Sequence, residues 1–143
     1  MLKVLAIAAV AALSVACGNE PRLRVNVDGS TFDRVPVAGS SLELAAIDFD
    51  ITNDGDATAF VATCEGRLST SVDKRVGGRW EQAYVQVCRG TSMDAPARLR
   101  AGARQHAGTG IGEAGRYRIK VVYSSDASMS KPKAAVSEGF DVR

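Results

Sequence analysis

The sequence contains a single histidine, His106, among its 143 residues. A zinc site built from several histidines is therefore excluded. The chain also lacks the Gly-x-Ser-x-Gly motif that presents the nucleophile of many serine hydrolases, and it has no catalytic Cys-x-x-Cys pair. His106 follows Gln105 in a region of strand-like sequence, and we interpret it as a strand-surface residue. These absences favour a non-catalytic protein without a cofactor or metal.

No hydrophobic run of the sequence is long enough to span a bilayer. The uncharged run from Val4 to Ala16 has thirteen residues, which in a helix rise about 20 Å, short of the ~30 Å hydrocarbon core. Lys3 precedes this run, and polar residues follow Cys17. A charged start, a short apolar middle and small residues before a cleavage point are typical of a secretory signal. We assign residues 1–16 to a signal peptide and exclude them from the fold.

The residues before Cys17 have two interpretations. Ser14 and Ala16 are small, so ordinary cleavage after Ala16 is one of them. In the other, the stretch Leu13-Ser14-Val15-Ala16-Cys17 resembles the lipobox of bacterial lipoproteins. This resemblance implies that Cys17 is acylated and anchors the chain to the cell envelope, with 17–22 as lipidated cysteine and short tether. Gly18, at the second position of the mature chain, resembles the pattern of lipoproteins exported to the outer membrane in Gram-negative bacteria.

The chain has three cysteines, and an odd number in an exported protein needs an explanation. Cys64 and Cys88 lie 24 positions apart, near the ends of two predicted strands. We predict a disulfide between them, which contributes about 3 kcal/mol through loop entropy. Cys17 then remains for lipidation. Trp80, on the strand that leads to Cys88, is predicted to lie in the core or at its rim.

Apolar and polar residues alternate with period two through most of the remaining chain, as in Leu23-Arg24-Val25-Asn26-Val27. No window shows a convincing amphipathic helix. At Ala45-Ala46 the alternation changes phase, which predicts a β-bulge or a bend between sheets. Asn53-Asp54-Gly55-Asp56 and Gly77-Gly78 are predicted hairpin turns. The predicted strands are 23–27, 42–51, 58–64, 67–76, 79–88, 97–99, 104–109, 117–123 and 136–142.

Short strands separated by turns predict an all-β, two-sheet antiparallel sandwich over residues 23–143. The stretch Gly115-Arg116-Tyr117-Arg118-Ile119 resembles immunoglobulin-like and fibronectin-like domains. The resemblance implies that the Tyr117 hydroxyl ties a corner to the backbone and that Ile119 fills a core position. Together with residues 50–55 and 99–102, this stretch is also similar to the immunoglobulin-like domains of uncharacterised bacterial lipoproteins. The resemblance implies a fold and no activity.

Charge is unevenly distributed along the chain. Residues 18–66 carry a net charge of −6, residues 67–118 carry +6 and residues 119–143 carry +1. The segments either neutralise one another or form two faces of opposite sign. Basic residues alternate with apolar ones, which is typical of solvated strand faces, and export disfavours nucleic acid as a partner.

Two polar segments are candidate sites. Asp48, Asp50, Asp54 and Asp56 offer oxygen ligands for a weak cation site, but position twelve of a calcium-binding loop read from Asp50 is Val61, where Glu is required. A hairpin turn explains the same residues. The loop 124–133 is a candidate binding loop, and its contact residues are Asp126, Met129, Lys131 and Lys133.

These observations together predict a membrane-anchored envelope lipoprotein. We expect it to bind an envelope protein, without catalysis, through the loops or an edge strand of the sandwich. An enzyme inhibitor that uses a loop, similar to proteinase-inhibitor modules, or an enzyme with an unrecognised site is the alternative.

Overall fold

The alternating pattern produces strands throughout the described chain. The structure is a computed structural model, and it describes residues 19–85 and 94–143. The strands are β1 (Leu23–Val27), β2 (Thr31–Phe32), β3 (Val35–Pro36), β4 (Glu43–Asn53), β5 (Ala59–Val61), β6 (Thr63–Cys64), β7 (Arg67–Leu68), β8 (Thr70–Val76), β9 (Arg79–Val85), β10 (Ala97–Leu99), β11 (Arg104–Ile111), β12 (Gly115–Ser124), β13 (Lys133–Val136) and β14 (Phe140–Val142).

The first sheet is built around β4, which pairs with β1 on one side and with β11 on the other, both antiparallel. β3 pairs with the start of β4. The register places Asp50 between Asn26 of β1 and His106 of β11. Side chains at alternate positions of these strands therefore share the outer face of the sheet.

The second sheet is built around β12, which pairs antiparallel with β8, β5, β13 and β14. β9 adds to β8, β10 adds to β5, and β2 runs parallel to β14. β6 and β7 form a separate two-stranded ribbon. The predicted all-β sandwich with two main antiparallel sheets is confirmed.

The core lies between the two sheets. β4 contributes Ile47, Phe49 and Ile51, and β12 contributes Ile119 and Val121, all without exposed surface. Full burial of an aliphatic or aromatic side chain contributes about 1.5–3 kcal/mol relative to exposure. The odd-numbered residues of both strands thus hold the sandwich together, whereas the even-numbered ones form its outer faces.

Two local predictions are wrong. Residues 53–56 do not close a hairpin, because β4 belongs to the first sheet and β5 to the second, so the turn crosses between sheets. β4 also has no bulge at Ala45-Ala46, because its register with β11 is continuous there. The irregularity lies instead between Val72 and Asp73, where β8 pairs with β9.

Leu44 explains the change of phase that suggested a bulge. Its side chain lies on the outer face, where a Cβ at Gly110 of β11, or at Gly112 just after that strand, would lie 3.3–3.4 Å from it. The glycines leave room for an apolar side chain outside the core. The pattern therefore changes without any change in the backbone.

The start of the described chain packs on the domain. The Asp54 N–H donates to Arg22 O at 2.8 Å, and the Arg22 N–H donates to Asn53 Oδ1 at 3.2 Å. A Cβ at Gly55 would lie 2.3 Å from Glu20 O, so glycine permits this close approach. Residues 20–22, which the sequence places in the tether, thus belong to the folded domain.

Three predicted features lie outside the described residues: the signal peptide, Cys17 and Cys88. Within 19–85 and 94–143, no helix is long and apolar enough to cross a membrane.

Candidate functional site

A groove opens along one side of the sandwich, between β11 of the first sheet and strands of the second. Its volume is about 740 Å³. We call it the edge groove. Its described lining comes from the β6–β7 ribbon, from β8, from the end of β9 and from β11, namely Gly66, Arg67, Leu68, Thr70, Val72, Tyr84, Val85 and residues 105–110.

The backbone bonds of β4 alternate between its two neighbours. The Asp28 N–H donates to Asp48 O on the β1 side at 3.1 Å. The Asn53 N–H donates to Ala103 O on the β11 side at 2.9 Å. The backbone groups of even-numbered residues of β4 therefore hydrogen-bond to β1, and those of odd-numbered residues hydrogen-bond to β11.

The same alternation fixes the two edges of β11. In the register of the two strands, Gln105, Ala107 and Thr109 lie opposite odd-numbered residues of β4. Their backbone groups therefore hydrogen-bond to β4. Even-numbered residues of β11 direct their N–H and C=O groups away from β4. No strand within 19–85 and 94–143 pairs with this outer edge. The residues concerned are Arg104, His106, Gly108 and Gly110.

The floor of the edge groove on the β11 side is made of small residues. Ala107 and Thr109 point inward between the sheets and are half-buried. Gly108 and Gly110 carry no side chains. Tyr84 and Val85 on the opposite wall are 38% and 49% exposed. Such a site accommodates an extended peptide, which pairs through its backbone and places alternate side chains in the groove.

One rim of the groove carries an ion-pair network on the outer face of the first sheet. His106 Nδ1 lies 3.2 Å from Asp50 Oδ1, and His106 Nε2 lies 3.7 Å from Asp48 Oδ1. The Arg104 guanidinium donates to Asp50 Oδ2. A Cβ at Gly108 would lie 2.9 Å from Asp48 Oδ1, so glycine leaves room for that carboxylate.

The Arg104 hydrogen bond holds the pKa of Asp50 below its usual range, against the opposing effect of desolvation. The Asp50 side chain is 5% exposed, and both of its oxygens already have partners. One oxygen each of Asp28 and Asp50 and a His106 nitrogen lie within 4.8 Å of one another. Three such groups are a candidate set of metal ligands, but Arg104 already supplies positive charge to Asp50.

The structure separates the four aspartates of the proposed cation site. Asp48 and Asp50 lie on the outer face of β4. Asp54 lies in the turn that follows and pairs with Arg24 at 2.8 Å. Asp56 lines a second cleft of about 360 Å³ at that end of the domain. The four carboxylates therefore do not form one binding loop.

The candidate binding loop 124–133 folds around one of its own residues. Asp126 accepts hydrogen bonds from the hydroxyls of Ser124, Ser128 and Ser130 and from the Ser130 N–H. The Ser128 hydrogen bond is the largest cause of the strongly lowered pKa of Asp126. This carboxylate therefore organises the loop.

The other three predicted contact residues of the loop differ in their surroundings. Met129 is half-buried and has a φ of 54°. Lys133 pairs with Glu20, and Lys131 is exposed. Lys131 is thus the member of this set most available to a partner, and the binding role of the loop stays a prediction.

Tyr117 forms the backbone contact that the resemblance implies. Its side chain is fully buried, and its hydroxyl donates to Glu113 O at 2.9 Å. Burial raises the pKa of this hydroxyl. Lys74 Nζ lies 5.7 Å from the ring centroid and pairs with Glu113. The contact fixes the entry into β12 and has a structural role.

Trp80 lies on β9, directly opposite Arg75 of β8, and is half-buried. It is a rim residue and no part of the core cluster. Cys64 is 1% exposed and is not a free thiol. Because Cys88 lies outside the described residues, the Cys64–Cys88 disulfide stays a prediction.

Sequence reasoning missed the edge groove. It identified 104–109 as a strand and His106 as a surface residue, but β11 extends to Ile111. The sequence feature that could have indicated the groove is the pair Gly108 and Gly110, which lie at alternate positions on one face of β11. Glycine inside a strand often marks the close approach of another chain.

Comparisons with known proteins support the fold. No model of a known family matches the chain, and a search of curated proteins found no significant match. Among solved structures, a protein assigned as ApaA from Bordetella pertussis superposes with a TM-score of 0.53 at 19% identity, covering 84% of this chain and 91% of that one. At this identity the similarity bears on the fold alone.

Two other similarities are weaker. The CARDB domain of a Pyrococcus furiosus protein, solved with two metal ions, gives a TM-score of 0.39 at 14% identity and covers 86% of this chain and 89% of that one. A β-glucosidase from Listeria innocua, solved with glucose, gives 0.38 at 9% identity over 85% of this chain. The match covers 16% of the enzyme.

Proposed function

We propose that this protein is an envelope-anchored binding module that takes an extended segment of a partner protein into the edge groove, as an added strand on β11. The observation that carries the proposal is the outer edge of β11, which no described strand pairs and which faces this groove. Main-chain hydrogen bonds would supply affinity, and the groove floor would select alternate side chains.

The energetics of strand addition suit this site. Four residues of β11 direct backbone groups to the outer edge, and each intermolecular hydrogen bond contributes about 0.5–1.5 kcal/mol net. Tyr84 and Val85, which are 38% and 49% exposed, provide apolar surface for the side chains of the added strand. A strand edge that no described strand pairs is available for pairing with another chain.

A catalytic role has less support. The described contacts of His106 are with the carboxylates of Asp48 and Asp50. Among the described residues, no hydroxyl or thiol donates a hydrogen bond to its ring. A nucleophile–histidine pair needs such a contact. We therefore propose no enzymatic activity.

A proline substitution at Gly110 tests strand addition. Gly110→Pro removes an N–H that β4 does not use, so the ladder of the first sheet persists while the outer edge is blocked. We expect crosslinking in intact cells, followed by pull-down, to lose a protein partner that the wild type captures. Gly110→Ala keeps the N–H, and its Cβ would lie 3.4 Å from Leu44 Cδ1, so this matched control should retain the partner.

Lys131→Ala provides the comparison with the loop 124–133. We expect it to retain the partner, because the loop lies outside the edge groove. Thermal unfolding of all three variants checks that they are folded. Capture by a folded Gly110→Pro variant at the wild-type level would contradict strand addition, and a loss with Lys131→Ala would instead assign the contact to the loop.

The anchor is a separate part of the proposal. The lipobox-like residues before Cys17 support acylation of its thiol, with the outer membrane as the location in a Gram-negative cell. We expect Cys17→Ser to move the protein from the membrane fraction to the soluble envelope fraction. Retention in the membrane fraction, at an unchanged level, would reject the lipid anchor while leaving the edge groove untested by that result.

A further inference from the structure

The outer face of the second sheet carries a basic and aromatic surface, on the opposite side of β8 and β12 from the core. We call it the basic face. It consists of Arg75 of β8, Trp80 of β9, and Arg116, Arg118 and Lys120 of β12. The register places Trp80 opposite Arg75, and Arg118 opposite Asp73.

Carboxylates of this chain already occupy part of the basic face. Arg116 Nη1 lies 3.0 Å from Asp141 Oδ2. Asp73 lies between two cations, 2.9 Å from Arg118 Nη2 and 3.4 Å from Lys120 Nζ. Four cations and two carboxylates leave a net charge of +2 on this face. The face is thus suited to carboxylates and incompletely neutralised.

Arg75 and Trp80 form the part of the face that has no carboxylate. Arg75 has no ion pair or hydrogen bond within the described residues, and its guanidinium carbon lies 5.9 Å from the Trp80 ring centroid. The Arg118 guanidinium lies 4.7 Å from the same ring. A Cβ at Gly139 would lie 3.1–3.3 Å from Arg116 and Trp80, so glycine leaves them room.

The spacing of the cations on β12 matches an extended acidic chain. Arg116, Arg118 and Lys120 are alternate residues, so their positions repeat every ~6.8 Å along the strand. Side chains on one face of an extended peptide repeat at the same distance. We infer that the basic face binds an extended acidic segment of a partner protein, with carboxylates at alternate positions beside β12 and one at Arg75.

A protein segment fits this face better than a generic polyanion. Tryptophan and arginine are the residues most enriched among energetically dominant interface positions. Planar guanidinium groups are well suited to bind carboxylates. On this face Arg118 Nε donates to Asp73 Oδ2 at 2.9 Å, and Arg118 Nη2 lies 2.9 Å from the same oxygen. This face is distinct from the edge groove, and the inference does not depend on strand addition to β11.

Trp80 is the only tryptophan, so its fluorescence reports on this face directly. We would titrate the protein with a ten-residue peptide of alternating Glu and Ser, and with a peptide of five Glu followed by five Ser. The alternating peptide should bind about threefold more tightly or better, because only its carboxylates match the spacing on β12. Calorimetry under the same conditions detects binding without relying on the indole.

Three variants assign the site. Arg75→Gln should weaken binding of the alternating peptide about threefold or more. Asp141→Asn releases Arg116 and should strengthen binding by a similar factor, a gain that a merely structural role does not predict. Arg24→Gln, which removes an exposed arginine of the first sheet, should leave the affinity unchanged.

Gly110→Pro should also bind the peptide normally, which separates this result from the edge groove. The inference is overturned if both peptides bind equally, if neither binds by calorimetry, or if Asp141→Asn has no effect. It is likewise overturned if single-stranded DNA or a sulfated polysaccharide of equal charge binds more tightly than the alternating peptide.

Discussion

At the scale of single residues, the Asn53 side chain stabilises the end of the first sheet through hydrogen bonds to backbone groups. It has no exposed surface, and its Nδ2 donates to Ala57 O at 2.7 Å and to Leu99 O at 2.9 Å. Its Oδ1 accepts from the N–H groups of Arg22 and Gly55. One side chain therefore joins the start of the domain, the turn after β4 and the end of β10.

Replacing Asn53 by alanine should cost about 3 kcal/mol of unfolding free energy, because it removes one buried and three part-buried hydrogen bonds to backbone groups. Urea denaturation of Asn53→Ala measures this loss. Asp54→Asn, which changes an exposed residue beside it, serves as the control and should cost less than about 1 kcal/mol. Equal stability of Asn53→Ala and the wild type would show that water replaces these hydrogen bonds.

The sequence predicts only part of this role. Asn53 is recognisable as a turn residue, since asparagine bonds readily to nearby backbone groups. Its contact with Leu99, 46 positions away, depends on how the two sheets pack. A contact between positions so far apart cannot be predicted from the residues next to Asn53. The same limit applies to Asp50, whose partners Arg104 and His106 lie on another strand.

At the scale of elements, the β8–β9 hairpin follows directly from its turn. Gly77 and Gly78 have φ values of 55° and 82°, which side chains rarely adopt. Two consecutive positive values are the signature of the tight turns that match strand twist. The Gly-Gly pair therefore predicts this hairpin correctly.

Gly78→Val should destabilise the protein by about 1–2 kcal/mol through backbone strain alone. No atom lies within 4 Å of a Cβ built at this position, so the Cβ itself is not crowded. Gly77→Asn is the comparison, because asparagine tolerates positive φ, and it should change stability by less than about 0.5 kcal/mol. Chemical denaturation distinguishes the two, and similar losses for both variants would rule out this explanation.

β4 shows where element prediction fails. Its apolar residues change phase at Ala45, and the pattern alone allows either a bulge or an apolar side chain on the outer face. The choice depends on β11, whose glycines accommodate Leu44. The turn after Asn53 fails for a similar reason, because its sequence does not specify whether the next strand joins the same sheet. In both cases the deciding information lies on another strand.

At the scale of the whole molecule, the acidic and basic segments of the sequence partly neutralise one another. Asp50, from the acidic segment 18–66, pairs with Arg104, from the basic segment 67–118, on the outer face of the first sheet. The outer face of the second sheet keeps an excess of cations, because Arg116, Arg118 and Lys120 share the carboxylates of Asp73 and Asp141. Each of the two arrangements that the sequence allows is therefore present in part, and the pairing of β4 with β11 decides which charges meet.

The predicted Cys64–Cys88 disulfide would act at this scale, because it would close the segment between positions 64 and 88, which contains β7, β8 and β9. Cross-linking reduces the entropy of the unfolded chain, so Cys88→Ala should lower the unfolding free energy by about 3 kcal/mol. Chemical denaturation under oxidising conditions measures the difference.

The control is the wild type after reduction and alkylation, which should lose stability to the same extent. Mass analysis of a non-reduced digest should show the two cysteine-containing peptides joined. Separate peptides would disprove the pairing. If they are joined but Cys88→Ala is as stable as the wild type, loop entropy does not explain the bond. The segment would then be held by the packing of β8 on β12, which buries Val72 and Ile119.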